Sequence, residues 1–85
     1  MVKNKFIDFD VNDFIYLVID NKIITESIYQ ILNIDCETTG NMNSGHTNIY
    51  YALLKDMNGD NVFRTSIASV DLKTEKSIIY AAKVK

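Results

Sequence analysis

Proline and tryptophan are absent from the sequence, and cysteine and histidine each occur once, as Cys36 and His46. A single cysteine cannot form an internal disulfide, which excludes a secreted fold held together by several disulfides. With so few sulfur and imidazole groups, a metal centre built from these side chains is not expected either. The chain has only three glycines and no glycine-rich loop of the kind that binds phosphate. We therefore expect no cofactor and no metal.

The sequence also has no excess of one charge and no long apolar run. Nine basic residues against eleven acidic residues give a formal net charge of −2, which is not the basic footprint of a nucleic-acid-binding domain. The longest uncharged apolar run, FIYLVI at residues 14–19, is far too short to cross a bilayer. We expect a cytoplasmic protein without membrane contact.

The composition is that of an ordinary globular chain, with 47% hydrophobic and 24% charged residues. No repeat or proline-marked linker divides it, so residues 1–85 are predicted to form one domain. The β-branched and aromatic residues at 14–19 predict a buried strand, and IITESIYQILNI at residues 23–34 predicts a bent strand after a turn at residues 20–22. The segment KFIDF is either a short strand or a lead-in whose Phe6 and Phe9 pack into the core.

A hairpin is predicted around Asn58 and Gly59, because Asn-Gly is the preferred pair for a two-residue type I′ turn. Counting outward from that turn gives the strand register. The predicted core face pairs Leu54 with Phe63, Ala52 with Thr65, and Tyr50 with Ile67. The opposite face carries Tyr51, Leu53, Val62 and Arg64, a mixture that is too apolar to be fully solvated.

The C-terminal segment DLKTEKSIIYAAKVK predicts a short helix. Thr74 is a good N-cap, Glu75 suits the positive end of a helix dipole, and Ile78, Ile79 and Ala82 fall on one side at helical spacing. We expect this helix to pack over an open end of the sheet.

Two runs, FDVNDFIYLVIDNKIITESIYQI and DLKTEKSIIYAA, with an aromatic strand and a glycine-containing hairpin between them, resemble small SH3-like β-barrel proteins of low-GC bacteria and their phages. The residues that match the family pattern are Phe9, Tyr16, Ile24, Ile28, Thr74 and Ala81. The chain departs from the pattern at Asn12, where Gly commonly precedes the Asp. The resemblance implies a mainly β, SH3-like barrel of about five strands with a short C-terminal helix. It implies no activity.

Residues 35–48 form a polar stretch with hardly an apolar side chain, and we predict a long loop there. Loops of this length in compact domains are usually either functional or disordered. As a functional loop it would present neutral hydrogen-bonding groups to a small polar ligand or to the edge of a partner protein. The candidate binding residues are Thr39, Asn41, Asn43, His46 and Asn48. The alternative is a mobile loop with no partner.

Catalysis is not expected. Cys36 and His46 are the only pair that suggests a nucleophile and its base, and no third group is placed to orient the imidazole. The carboxylates are scattered singly, and DFDVND and DMNGDN lack the Gly and Glu that a calcium-binding EF-hand loop needs at its sixth and twelfth positions.

The sequence therefore predicts a non-catalytic binding or protein-interaction module. One candidate surface is the face with Tyr51, Leu53, Val62 and Arg64, which suits a protein partner or a homo-oligomer unless a chain terminus covers it. The other is the loop. Abundant Ile, Asn and Lys are typical of AT-rich bacterial and phage genomes, and a phage-encoded inhibitor of host defence is one version of this function. The alternative is an SH3-like nucleic-acid-binding module. It would use the basic residues Lys22, Lys55, Arg64, Lys73, Lys76, Lys83 and Lys85.

Overall fold

The computed structural model describes residues 7–41 and 45–84, and these residues form one antiparallel sheet. Its strands are β1 (Phe14–Ile19), β2 (Lys22–Asn41), β3 (Gly45–Asp56), β4 (Val62–Asp71), β5 (Ser77–Ile79) and β6 (Ala81–Lys83). The order across the sheet is β5-β4-β3-β2-β1-β6. The prediction of a mainly β protein is confirmed. Nowhere in the described residues is there a helix long and apolar enough to cross a membrane.

The two ends of this strand order are joined through Tyr80, the one residue between β5 and β6. The N–H of Tyr80 donates to the carbonyl of Ile67 in β4, and its own carbonyl accepts from the N–H of Val18 in β1, both at 2.8 Å. In a flat sheet, β4 and β1 would lie roughly 14 Å apart, too far for one residue to reach both. The sheet is therefore strongly curved, with one face turned inward.

The predicted C-terminal helix is wrong, because its residues form β5 and β6. Thr74 does not cap a helix; instead the Asp71 carboxylate accepts hydrogen bonds from the N–H groups of Lys73 and Thr74, at 2.9 and 3.3 Å. Glu75 then takes a positive φ of 60° and turns the chain back towards β4. The β-branched residues that follow gain main-chain partners on existing strands, whereas one or two turns of isolated helix are marginal. Ile78, predicted to dock, is 58% exposed.

The bent second strand is confirmed, since β2 pairs with β1 through its first half and with β3 through its second. Its register shifts once opposite β1 and once between Ile31 and Asn33. Ile31 is fully buried, and its N–H and C=O are bonded to Asp13 and Asn12. The strand at residues 14–19 is also present, although only Ile15 within it is fully buried.

Left-handed residues form the first two turns. Asp20 and Asn21 have φ values of 52° and 64° and connect β1 to β2, as the type I′ geometry requires. Asn12 has φ 77°, so Asn takes the left-handed conformation at the position where the SH3-like pattern has Gly. The lead-in before it places Ile7 and Phe9 in the core, 6% and 8% exposed. Phe6 lies outside the described residues.

The hairpin between β3 and β4 is present, but its two-residue turn is wrong. Neither Asn58 nor Gly59 has a positive φ, and the loop is closed further out, where the Asp56 N–H donates to the Asn61 carbonyl at 2.9 Å. This longer loop is centred on the same peptide bond as the predicted turn, so the register is unchanged. Leu54 pairs with Phe63 as predicted.

A bulge changes the register further along the same hairpin. Tyr50 pairs with Ala68 rather than with Ile67, because Ile67 is the extra residue on β4. The predicted core face is nevertheless buried at Tyr50, Ala52, Leu54 and Ile67. Phe63, predicted on the same face, is instead 37% exposed, and its ring packs edge-on against Tyr29. The bulge directs the carbonyl of Ile67 to Tyr80, and so it contributes to joining the sheet ends.

The predicted long loop at residues 35–48 is wrong, because most of it forms the paired ends of β2 and β3. Thr38 pairs with Asn48, and the hydroxyl of Thr38 donates to the Asn48 side-chain oxygen at 2.7 Å. The β-branched threonines of this stretch suit a strand whose two faces are both solvated. Gly40 and Gly45 have φ values of 122° and 82° at the end of the hairpin.

Leu54→Ala should lower the free energy of unfolding by roughly 2 to 5 kcal/mol, because Leu54 is fully buried and truncation leaves a cavity. Leu53→Ala is the matched control on the opposite face, where Leu53 is 36% exposed and the cost should be less than about 1 kcal/mol. Urea unfolding of both variants measures the difference. Equal losses would mean that the assignment of the two faces is wrong.

Gly40→Ala should destabilise the protein by roughly 1 to 3 kcal/mol, because φ is positive and a Cβ there would collide with the carbonyl oxygen of Gly45. Gly59→Ala is its control. Apart from Gly59 and its two chain neighbours, no residue lies within 4 Å of a Cβ built there, so this change should be neutral or stabilise by up to about 1 kcal/mol. Thermal unfolding of both variants distinguishes the two sites. A marked loss of stability in Gly59→Ala would indicate a positive φ at Gly59, as in the predicted two-residue turn.

Candidate functional site

Four of the predicted site residues lie together on the convex side of the sheet, on β3 and β4. Pairing places Tyr51 beside Asp35 of β2, and Leu53 beside Arg64 of β4. We call this surface the outer face, and its residues are Asp35, Glu37, Tyr51, Leu53, Val62 and Arg64. Alternation along each strand turns these side chains away from the buried Tyr50, Ala52 and Leu54.

Arg64 organises the polar centre of the outer face. Its Nη2 lies 3.1 Å from Asp35 Oδ2 and 3.3 Å from Glu37 Oε1, and its Cζ lies 3.8 Å from the centroid of the Tyr51 ring. The hydrogen bond that Arg64 donates to the Asp35 carboxylate raises the pKa of the guanidinium above its already high ordinary value. One cation therefore holds side chains from two other strands in place by ion pairing and stacking.

Aliphatic side chains border this charged centre. Leu53 is 36% exposed and Val62 is 50% exposed. The lead-in and the C-terminal strands thus leave these side chains uncovered in the described structure. Arg and Tyr are residue types enriched at the centres of protein interfaces, and on the outer face they are stacked on each other beside exposed aliphatic side chains.

The candidate binding residues of the predicted loop do not form one cluster. Thr39 pairs with Thr47 on the side of the outer face, whereas His46 and Asn48 project from the opposite side of the hairpin. Asn41 pairs with Gly45 through its backbone. Asn43 lies outside the described residues. Strand alternation therefore separates side chains that the sequence places within a few residues of one another.

Cys36 and His46 do not meet. Cys36 pairs with Tyr50 and His46 with Gly40, so the two side chains are four residues apart along the hairpin, roughly 13 Å. Desolvation raises the pKa of the Cys36 thiol, and the negative charges of Asp35 and Glu37 add to the shift. A hydrogen bond with Tyr50 acts in the opposite direction. At neutral pH the thiol stays protonated and is a poor nucleophile.

An open groove was not anticipated from the sequence. It has a volume of about 460 Å³, and its lining residues are Asp13, Phe14, Ile28, Met57, Lys83 and Val84. Phe14 and Met57 are 44% and 43% exposed within it. The Lys83 ammonium at its rim is shared between Asp8 and Asp13, at 3.5 and 3.7 Å. The lining comes from distant parts of the chain, so no local sequence pattern signals this groove.

Comparison of the chain with protein-family models, curated proteins and solved structures gave no match. Within the described residues, no three histidine, cysteine, aspartate or glutamate side chains are grouped so that they could hold a metal ion. On the outer face, paired charged groups lie directly beside exposed apolar side chains.

Alkylation of Cys36 by iodoacetamide should be slow at pH 7 although the residue is exposed, because its raised pKa leaves little thiolate. The rate should keep rising with pH beyond the point at which an unstructured cysteine peptide reaches its plateau. Mass spectrometry of the labelled protein over a pH series measures this, with the peptide as control. A plateau at or below that of the peptide would contradict the shift.

Proposed function

We propose that this domain is a small SH3-like β-barrel that works as a non-catalytic protein-interaction module, with the outer face as its contact surface. Tyr80 supports the barrel, because its hydrogen bonds to β4 and β1 join the ends of the sheet. The observation that carries the function is the position of Arg64, stacked on Tyr51 and hydrogen-bonded to Asp35 and Glu37 beside exposed aliphatic side chains.

A second copy of the chain is the partner that best suits this face. The outer face contains a guanidinium, two carboxylates and an apolar border, so it is complementary to itself in charge. In a two-fold contact, Arg64 of one protomer can face the acidic pair of the other, while Leu53 and Val62 pack across the axis. The side chains are already ordered in the monomer, which lowers the entropy cost of association.

Two other proposed partners have less support. A small polar ligand would need the loop residues to converge, and strand alternation separates Thr39 from His46 and Asn48. Nucleic acid would need free basic groups, whereas Arg64 and Lys83 are both paired with carboxylates. Lys85 lies outside the described residues. A phage-encoded inhibitor of host defence is one version of this function, since inhibition by binding needs no catalysis.

Light scattering over a concentration series should give a mass above that of the monomer, increasing with concentration. Val62→Lys should weaken this association by about tenfold or more, because it places an unpaired charge in an apolar contact. Ile23→Lys is the matched control, since Ile23 is 55% exposed against 50% for Val62 and lies at the far end of β2.

The free energies of unfolding of Val62→Lys and Ile23→Lys should both lie within about 0.5 kcal/mol of the wild-type value. Weaker association of Val62→Lys would then reflect a lost interface contact and not a loss of folding. Tyr51→Ala should also weaken association, because it removes the ring beneath Arg64. A monomer at every concentration would refute self-association through the outer face. Equal effects of Val62→Lys and Ile23→Lys would refute the choice of surface.

A further inference from the structure

The second half of β2 has a partner strand on one side only. Its pairing with β1 extends to Gln30, opposite Phe14, and the backbone of Ile31 bonds to Asn12 and Asp13. Beyond this point β2 pairs with β3 as far as Asn41. In the described part of the chain, no strand pairs with its other side.

The hydrogen-bond pattern shows which backbone groups face that open side. In β3, the Asp56 N–H and the His46 carbonyl bond in the direction of β4, to Asn61 and Leu72. The N–H and C=O groups of successive residues in a strand point to opposite sides. The odd-numbered residues of β3 therefore bond to β2, and their partners Asp35, Glu37 and Thr39 direct their own backbone groups towards β3. The alternate residues of β2 direct their N–H and C=O groups outward. We call these residues the free edge, and they are Ile34, Cys36, Thr38 and Gly40.

Acidic side chains alternate with the free-edge residues. Asp35 and Glu37 are 51% and 56% exposed, and each has one carboxylate oxygen bonded to the same Nη2 of Arg64. Two negative charges thus share one positive charge, which leaves the edge net negative. In an added antiparallel strand, the residues opposite Asp35 and Glu37 would be in non-hydrogen-bonded pairs, where side chains come closest.

This charge pattern disfavours a second copy at the free edge. A symmetric antiparallel pairing centred on Asp35, Cys36 or Glu37 would place a carboxylate directly opposite another carboxylate, and like charges in such pairs are destabilising. A strand with basic side chains at alternate positions would instead place a positive charge opposite each carboxylate, which is an attractive pair. An unpaired edge of this kind also provides main-chain hydrogen bonds to an extended peptide.

We propose that the free edge binds an extended segment of a partner protein, which adds an antiparallel strand with Lys or Arg opposite Asp35 and Glu37. Main-chain bonds to the free edge supply the attachment, and the two carboxylates select for basic side chains. This contact goes beyond the proposed use of the outer face. It shares Asp35 and Glu37 with that face, but it is made through the backbone edge of β2 and does not require Leu53 and Val62.

The test is amide hydrogen exchange and chemical-shift mapping by NMR on the isotope-labelled protein. In the free protein, the amides of Cys36, Thr38 and Gly40 should exchange faster than those of Glu37 and Thr39, which are bonded to β3. The probe is the capped peptide Thr-Lys-Val-Lys-Thr-Lys-Thr. Its addition should shift the free-edge amides and slow their exchange, while the odd-numbered amides change little.

Two control peptides separate main-chain pairing from charge attraction. N-methylation of the Val amide and of the Thr between the second and third Lys removes donors that face β2 and should abolish the protection. N-methylation of two Lys amides, which point away from β2, should leave the protection unchanged. The peptide Thr-Glu-Val-Glu-Thr-Glu-Thr should bind more weakly. The double variant Asp35→Asn with Glu37→Gln should weaken binding of the basic peptide by roughly 2- to 30-fold, as two exposed ion pairs predict.

Failure of the basic peptide to protect the free-edge amides at saturating concentration would overturn the proposal, as would equal binding of the acidic peptide. Protection of these amides that increases with protein concentration alone would identify a second copy as the occupant and would also overturn it. Val62→Lys distinguishes peptide binding at the free edge from self-association through the outer face. This variant should bind the basic peptide as the wild type does, whether or not it has lost self-association.

Discussion

Two main-chain hydrogen bonds at Tyr80 determine the form of the whole sheet. They bring β4 and β1 to the same residue, although β3 and β2 lie between these strands in the sheet order. Curvature follows from that requirement, and the inner face then encloses Ile15, Ile31 and Leu54, which are all fully buried. The bulge at Ile67 and the bend in β2 are the local departures from regular pairing that allow the strands to curve.

The length of β2 divides the molecule into two parts with different properties. Its first half belongs to the curved sheet and contributes Ile31 to the core, whereas residues 35–40 are exposed. The arm formed with β3 is stabilised by pairing and by surface contacts such as the bond between Thr38 and Asn48. Both proposed contact surfaces meet at Asp35 and Glu37, whose side chains lie on the outer face and flank the free edge.

Much of the scaffold could be predicted from local sequence signals. The alternation around Leu54 identified the buried face, and the centre of the hairpin at Asn58 and Gly59 identified the register, even though the turn itself is wider. The helix at Thr74 was mispredicted because its cap and spacing are local, while the competing strand partners on β4 and β1 are distant in sequence. The stretch at residues 35–48 was mispredicted because polar strands with two solvated faces have no apolar alternation to mark them.

The candidate site was predictable to a similar degree. Placing Tyr51, Leu53, Val62 and Arg64 together required only the hairpin register. The acidic partners of Arg64 could not be found in this way, because Asp35 and Glu37 belong to a strand whose polar sequence predicts a loop. His46 and Asn48 were grouped with Thr39 on sequence proximity, and only the pairing shows that they project from opposite sides.

The joining of the sheet ends also has a consequence for how fast the protein folds. Ile15 pairs with Lys83, and the Val84 N–H bonds to the Phe14 carbonyl, so these contacts span almost the whole chain. Closing such a large loop costs conformational entropy before any of these bonds form. Small all-β proteins with contacts of this range fold in milliseconds to seconds rather than microseconds. During synthesis, a chain without residues 80–84 cannot join β1 to β4, and β1 keeps an open edge until those residues are made, whereas β4 can already pair with β5.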